Sequence, residues 1–418
     1  MPGPSNKVAR VFANPSLHYP FRRALALAAA CVLAGVVAAT PAAASPDGQW
    51  YVDALHLHQA QQVSTGKGVT VAVIDSGIDK TRPALKGRVL PGKCFGSAEV
   101  LKPTWDNVGH GTKVAGLLAG SGTDRRHILG VAPGATLMPL CVTGDDVTSQ
   151  SLFESITPAI RYAADHGAGV ISMALGADEK RASDRTVKKL HAAIAYAEQH
   201  DVVLVAAAGN ASEDEATLSP ANLPGVIAAT GSNAQGGAWK DSIPGKHVGL
   251  AAPANNLLTL NTHETEDIDH GPRETSGYAT VSGTSAATAL VAGAAALVRS
   301  KYPKLDAANV VHRLTATATD KGPHGRDDTF GYGIVDPAKA VTADVDTVES
   351  NPLGQLAAQS STPHEDASSP SREAAGIGSD SSGTWVVVLL AAVVLVGGGI
   401  VAVALARRRR LTGPTKHG

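Results

Sequence analysis

At 418 residues the chain has room for one large domain or two ordinary ones, with a core large enough to need no metal or disulfide staple. Lys and Arg number 36 against 37 Asp and Glu, a formal net charge of -1, so no overall field points to nucleic acid as a partner.

Arg22 and Arg23 precede an apolar run from Ala24 to Ala39, and Ala42, Ala43 and Ala44 follow. Charge, apolar stretch and small-residue exit read as a secretory signal peptide over residues 1–44; an uncleaved anchor is the other reading. Residues 45–66 form a short N-terminal extension, with HLHQAQQ in helix-like form. A segment of this size is too small to fold alone and is expected at most to pack on the surface.

Residues 67–345 form the main domain. VTVAVIDSG, TLMPLCV, AGVISMALG, VVLVAAAGN and GVIAATGS are short apolar runs ending in turn signals. Between them lie helical patterns: TKVAGLLAG, SLFESITPAIRYAADHG and TVKKLHAAIAYAEQH. In the second, Phe153, Ile156, Ile160 and Ala163 recur at helical spacing. Apolar strands separated by amphipathic helices predict an α/β fold, a mainly parallel sheet covered on both faces. In that architecture, sites form at the carboxyl ends of the strands. Cys94 and Cys141 remain after the signal, in a compartment that permits oxidation; they form a disulfide or two separate buried thiols.

Residues 346–384 read as a flexible polar stalk. From Ser350 to Gly383 there are nine serines and no Phe, Tyr or Trp, too little apolar surface to offset chain entropy. Trp385 to Ala406 is uncharged and long enough for one C-terminal transmembrane helix. Arg407 to Arg410 open a basic tail, 407–418, which marks the cytoplasmic side and places the main domain outside.

Three polar residues stand at element edges beside glycines. Asp75 closes the first apolar strand, where an Asp is usually a turn former. His110 lies in NVGHGTKVAG at the mouth of a helix, where it would ordinarily be a loop residue. Ser285, in SGTSAATALVAGAAALV, would ordinarily be an N-cap. Together they supply what acyl transfer needs: a hydroxyl, a base near neutral pKa and a carboxylate that holds the base's tautomer. Activity is then expected to fall below about pH 6 as His110 takes up a proton.

VAVIDSGID, GHGTKVAG and SGTSAA, in the order Asp, His, Ser, resemble the three signature blocks of the subtilisin-like serine proteases, the subtilases. The resemblance implies a subtilisin-like three-layer sandwich and endopeptidase activity. It makes Ser285 the nucleophile, His110 the general base and then acid, and Asp75 its orienting partner. From AAAGN it takes Asn210 as a side-chain donor to the oxyanion, beside the backbone N–H of Ser285. Ala174, Leu175 and Gly176, in ISMALGA, are implied to pair with an extended substrate, and Ala206, Ala207, Ala208 and Gly209 to wall the pocket before the cut. Nothing bulky or charged is evident there, which suits a small or medium apolar residue.

Two features depart from the family pattern. The Pro usual after the serine is absent from Ser285-Ala286-Ala287-Thr288-Ala289, which is expected to shift geometry slightly. No folded propeptide domain fits between the signal and Asp75.

Signal, stalk, span and basic tail, with GYGIVDPAKAV and ALVRSKYP, resemble the mycosins, the membrane-anchored subtilases of type VII secretion systems. The resemblance implies protein or peptide substrates, a place in a type VII secretion membrane complex and a stabilising role there. A general degradative membrane protease and a non-catalytic scaffold are the competing readings. No cofactor or metal is expected, and no segment commits to structural calcium. His263 and His270 read as members of a solvated loop, and Glu213, Asp214 and Glu215 as an exposed acidic turn.

Overall fold

The computed structural model describes residues 48–356, apart from 97, 99–100, 125, 143–147, 212–217 and 263–276. The expected signal peptide, most of the stalk, the span Trp385 to Ala406 and the basic tail lie outside the described residues. So do the acidic turn at Glu213 to Glu215 and the loop with His263 and His270. No helix among the described residues is long and apolar enough to cross a membrane.

The main sheet has seven strands in the order β2-β3-β1-β4-β5-β6-β7, with all six neighbouring pairs parallel. They are β1 (Thr70–Asp75), β2 (Lys93–Cys94), β3 (Thr136–Cys141), β4 (Val170–Met173), β5 (Val203–Ala207), β6 (Ile227–Ser232) and β7 (Val248–Pro253). A hairpin, β8 (Leu257–Leu260) with β9 (Tyr278–Val281), stands apart.

Residues alternate across the sheet. Val71, Val73, Val203 and Val205 face one core; Ala72, Ile74, Leu204 and Ala206 face the other. Both faces are therefore covered, which is why these strands read as unbroken apolar runs rather than an in-out pattern. One cover is α4 (Ser149–Asp165) with α5 (Asp184–Gln199), packed through Phe153, Ile156, Ile160, Leu190 and Ile194. Each starts on a hydroxyl cap, Thr148 accepting from the Ser151 N–H and Ser183 from the Thr186 N–H.

The other cover holds α3 (His110–Ala119), α6 (Thr284–Lys301), α7 (Ala307–Ala316) and α8 (Pro337–Thr342). Helix α6 is enclosed from Ala286 to Val298, and only small residues allow so close an approach on all sides. At Gly293, a Cβ would come 2.6 Å from the Val131 Cβ.

Two expectations about the ends of the domain are corrected. The N-terminal extension, α1 (Tyr51–Ala54) and α2 (Leu57–Val63), enters the main core instead of lying on the surface: Tyr51, Leu55, Leu57 and Ala60 are fully buried. Nor does the packed chain stop at Val345. Val348 exchanges hydrogen bonds with the Asn309 side chain, and the Leu353 carbonyl accepts from the Gly225 N–H. A composition window starting at Ser350 averages Leu353 and Leu356 into the serine-rich run behind them, which hides these anchors.

In β2 and β3, Cys94 stands beside Cys141, and the two are joined in a disulfide with Cα atoms 4.4 Å apart.

Candidate active site

Strands β1, β4 and β5 are adjacent and in register at their carboxyl ends, with Ile74 beside Met173 and Met173 beside Ala206. Asp75, Ala174 and Asn210 therefore leave the same edge of the sheet. Helices α3 and α6 bring their N-termini to that edge, carrying His110 at the first helical position and Ser285 at the second.

Asp75 is buried, and His110 Nδ1 lies 2.8 Å from its Oδ1 and 3.0 Å from its Oδ2. The carboxylate accepts from this nitrogen, which fixes the tautomer and leaves Nε2 as the basic atom. The imidazole side chain is 40% exposed, so solvent reaches it. The Asp75 charge, the largest influence, raises the His110 pKa above the ordinary imidazole value; burial works against it, and the Asp75 hydrogen bond and the Asp106 charge add to it. The direction of this shift moves the expected acid limb toward higher pH.

Close approach of α3 to the β1 turn requires glycine at 111, because a Cβ there would collide with the Gly77 carbonyl oxygen. Gly283, the residue before α6, has φ 149°, a conformation that side-chain-bearing residues rarely adopt.

The Ser285 hydroxyl donates to the Ala174 carbonyl at 3.0 Å, so at rest it is turned toward the β4 extension. The structure joins His110 to Asp75, while the Ser285 hydroxyl is hydrogen-bonded to Ala174 and not to His110. Asn210 Oδ1 accepts from the Thr284 N–H at 3.0 Å and the Thr284 hydroxyl at 3.1 Å. That pins the carbonyl end of the amide to the start of α6 and makes the other end the donor. The site can thus offer a hydroxyl, a tautomer-fixed base, and amide and backbone donors at a helix N-terminus, the set that acyl transfer uses.

The model of the subtilase family matches residues 66–333. The chain belongs to the subtilase family. Mycosin-1 of Mycolicibacterium smegmatis is 32% identical over 339 residues, covering 72% of this chain and 74% of that protein. Among solved structures, MycP3 protease from the type VII (ESX-3) secretion system has a TM-score of 0.61 at 34% identity, covering 73% of this chain and 90% of the other. A chain of an intact ESX-5 inner membrane complex has a TM-score of 0.60 at 26% identity, over 89% of this chain and 92% of that one. This subtilase is a mycosin-like serine endopeptidase.

Both segments expected to contact substrate touch the start of α6, Ala174 through the Ser285 hydroxyl and Gly209 through the Thr284 hydroxyl. Ala206 and Ala208 are fully buried in the core cluster with Leu204 and Ala228, so their side chains face away from the cleft. Strand alternation causes this, and turns Ala207, itself only 6% exposed, to the opposite side of the segment. Ala174, Leu175 and Gly176 continue from β4, and Ala177 then pairs with Ser219 through two 3.0 Å backbone hydrogen bonds.

Sequence reading missed Leu218. A Cβ on Gly176 would come 2.9 Å from the Leu218 Cβ, so this nearly buried leucine packs directly on the expected binding strand. An isolated Leu in SEDEATLSPAN was the available signal. Ser76 and Asp106 were also missed. Both are buried polar residues beside Asp75 and His110, in stretches that otherwise read as turns. Among the described residues no group of three or more His, Cys, Asp or Glu is arranged to hold a metal.

Proposed function

We propose that Ser285, His110, Asp75 and Asn210 carry out peptide-bond hydrolysis, and that the protein does so as a membrane-anchored protease of a type VII secretion complex. The contact that carries the catalytic reading is His110 Nδ1 on both oxygens of buried Asp75, with Ser285 mounted on the facing helix start.

In the resting geometry the serine proton points to the Ala174 carbonyl. A χ1 rotation between staggered positions turns the hydroxyl into the cleft, and a substrate strand pairing along Ala174 to Gly176 competes for the same carbonyl. Ser285 Oγ then attacks the scissile carbonyl carbon while His110 Nε2 takes its proton. The tetrahedral oxyanion is held by the Asn210 amide and the Ser285 N–H, at the positive end of α6. His110 returns the proton to the leaving amine. Water, deprotonated by the same base, releases the acyl group from Ser285.

The secretion role is supported by the match to a chain of the ESX-5 inner membrane complex across 89% of this sequence. It is supported too by the uncharged stretch from Trp385 to Ala406 followed by four arginines, which would hold the catalytic domain outside the membrane. In this reading the substrates are exported proteins, and the anchored domain also stabilises the channel.

A fluorophosphonate probe is expected to label the wild type and not Ser285→Ala, with kcat falling roughly 10⁶-fold in the variant. Equal labelling of the two would remove Ser285 as nucleophile. Secretion that survives Ser285→Ala but fails on deletion of the protein would assign the channel role to the scaffold rather than the chemistry.

A further inference from the structure

We infer that Asp106 is a positioning residue for the catalytic base: its buried carboxylate builds the first turn of α3 and so aims His110 at Asp75. The inference deepens the proposed catalytic reading and rests on it for the identity of the base.

The start of α3 has donors and no side-chain cap of its own, because the residue before His110 is Gly109, with φ 83°. Asp106 fills that need from three residues further upstream. Its Oδ1 accepts from the Gly109 N–H at 2.7 Å, and its Oδ2 from the Thr112 N–H at 2.8 Å and the Thr112 hydroxyl at 2.7 Å. The Ser76 hydroxyl reaches Oδ1 at 2.8 Å and lies 3.2 Å from Asp75 Oδ1, while accepting from the Gly111 N–H at 2.9 Å. The residues on both sides of His110 are thus held by one carboxylate and by the hydroxyl that links it to Asp75.

Four donors exceed what an ordinary cap collects, and Asp106 is only 4% exposed. Each oxygen meets an N–H that can only donate, which favours the ionised form, as does the positive end of α3. Burial, the largest influence, pushes the Asp106 pKa up, and the Asp75 charge adds to it; the bonds from Thr112 and Gly109 oppose them. The charged groups acting on His110 are Asp75 and Asp106, which favour the imidazolium, and Lys113, which opposes it. Asp106 therefore has two separable effects, one of geometry and one of charge.

The test uses the full-length chain. Wild type, Asp106→Asn and Ser76→Ala are compared by proton NMR titration of His110 and by the pH dependence of kcat/KM on a peptide p-nitroanilide. Asp106→Asn is expected to move the His110 titration and the acid limb together to lower pH, with KM little changed. Ser76→Ala keeps both carboxylates and is expected to lower kcat about two- to tenfold, the scale of one net hydrogen bond. A folded Asp106→Asn protein with an unmoved His110 titration overturns the inference. Should that variant fail to fold, Ser76→Ala decides, and unchanged kcat would overturn it. A wild type whose His110 titrates but which turns over no peptide would sink the catalytic reading and leave the positioning claim readable from the NMR.

Discussion

Two helix starts meet at the cleft, and they are capped in opposite ways. Helix α3, which carries His110, is capped by a carboxylate three residues before its own N-cap glycine. Helix α6, which carries Ser285, is capped by a neutral amide from the end of a distant strand, Asn210 onto Thr284. The difference follows the charge each end must tolerate. A base gains from negative charge nearby, since the imidazolium it becomes is stabilised. An oxyanion loses from it, so the serine helix keeps its positive end unopposed and takes a cap without charge.

The sharpest way to break this contrast is to make the second cap like the first. Asn210→Asp is expected to cost more in kcat than Asn210→Ala, and the alanine variant to lose about 10²–10³. Steady-state kinetics on one peptide substrate checks both, and an aspartate variant as active as wild type would contradict the neutral-cap argument.

A smaller effect is expected from Thr284→Val. It deletes the hydroxyl that donates to Asn210 Oδ1 and accepts from the Gly209 N–H at 3.3 Å, but keeps the backbone donor. A fall in kcat of about two- to tenfold with KM unchanged is the expected result, readable in the same assay.

The smallest effect on turnover serves as the control, a perturbed carboxylate away from both helix starts. Burial raises the Glu198 pKa to about 7, while its Oε2 accepts from the Leu356 N–H at 3.3 Å. Here the folded-state pKa exceeds the unfolded one. The stabilisation from the neutral acid is full below the unfolded value of 4.5 and is lost as pH rises to about 7. Glu198→Gln should leave kcat unchanged and melt progressively higher than wild type as pH rises from 5 to about 8. Parallel melting curves across that range would contradict the assignment.

What could be read beforehand divides along physical lines. Strands β1, β3, β4, β5 and β6 and helices α3, α4 and α5 announce themselves because the apolar run or apolar face that buries each lies within its own span. Strand β2, two residues long, and the hairpin β8–β9 do not, since pairing partners elsewhere in the chain define them. Asp75, His110, Ser285 and Asn210 were legible because glycine-flanked blocks surround them. Leu218 and Asp106 were not, because each matters through a neighbour the sequence does not name, Gly176 for one and the first turn of α3 for the other.

By itself, then, the amino-acid sequence determined the class of fold, the residue types of the site and their order along the chain, all of which depend on local pattern. Only the tertiary structure decided that the Ser285 hydroxyl rests on Ala174, that Ala206 and Ala208 turn inward, and that the two flanking segments belong to the packed domain. Those outcomes depend on which groups compete for the same carbonyl, face or groove once distant strands are side by side, and no local pattern carries that competition.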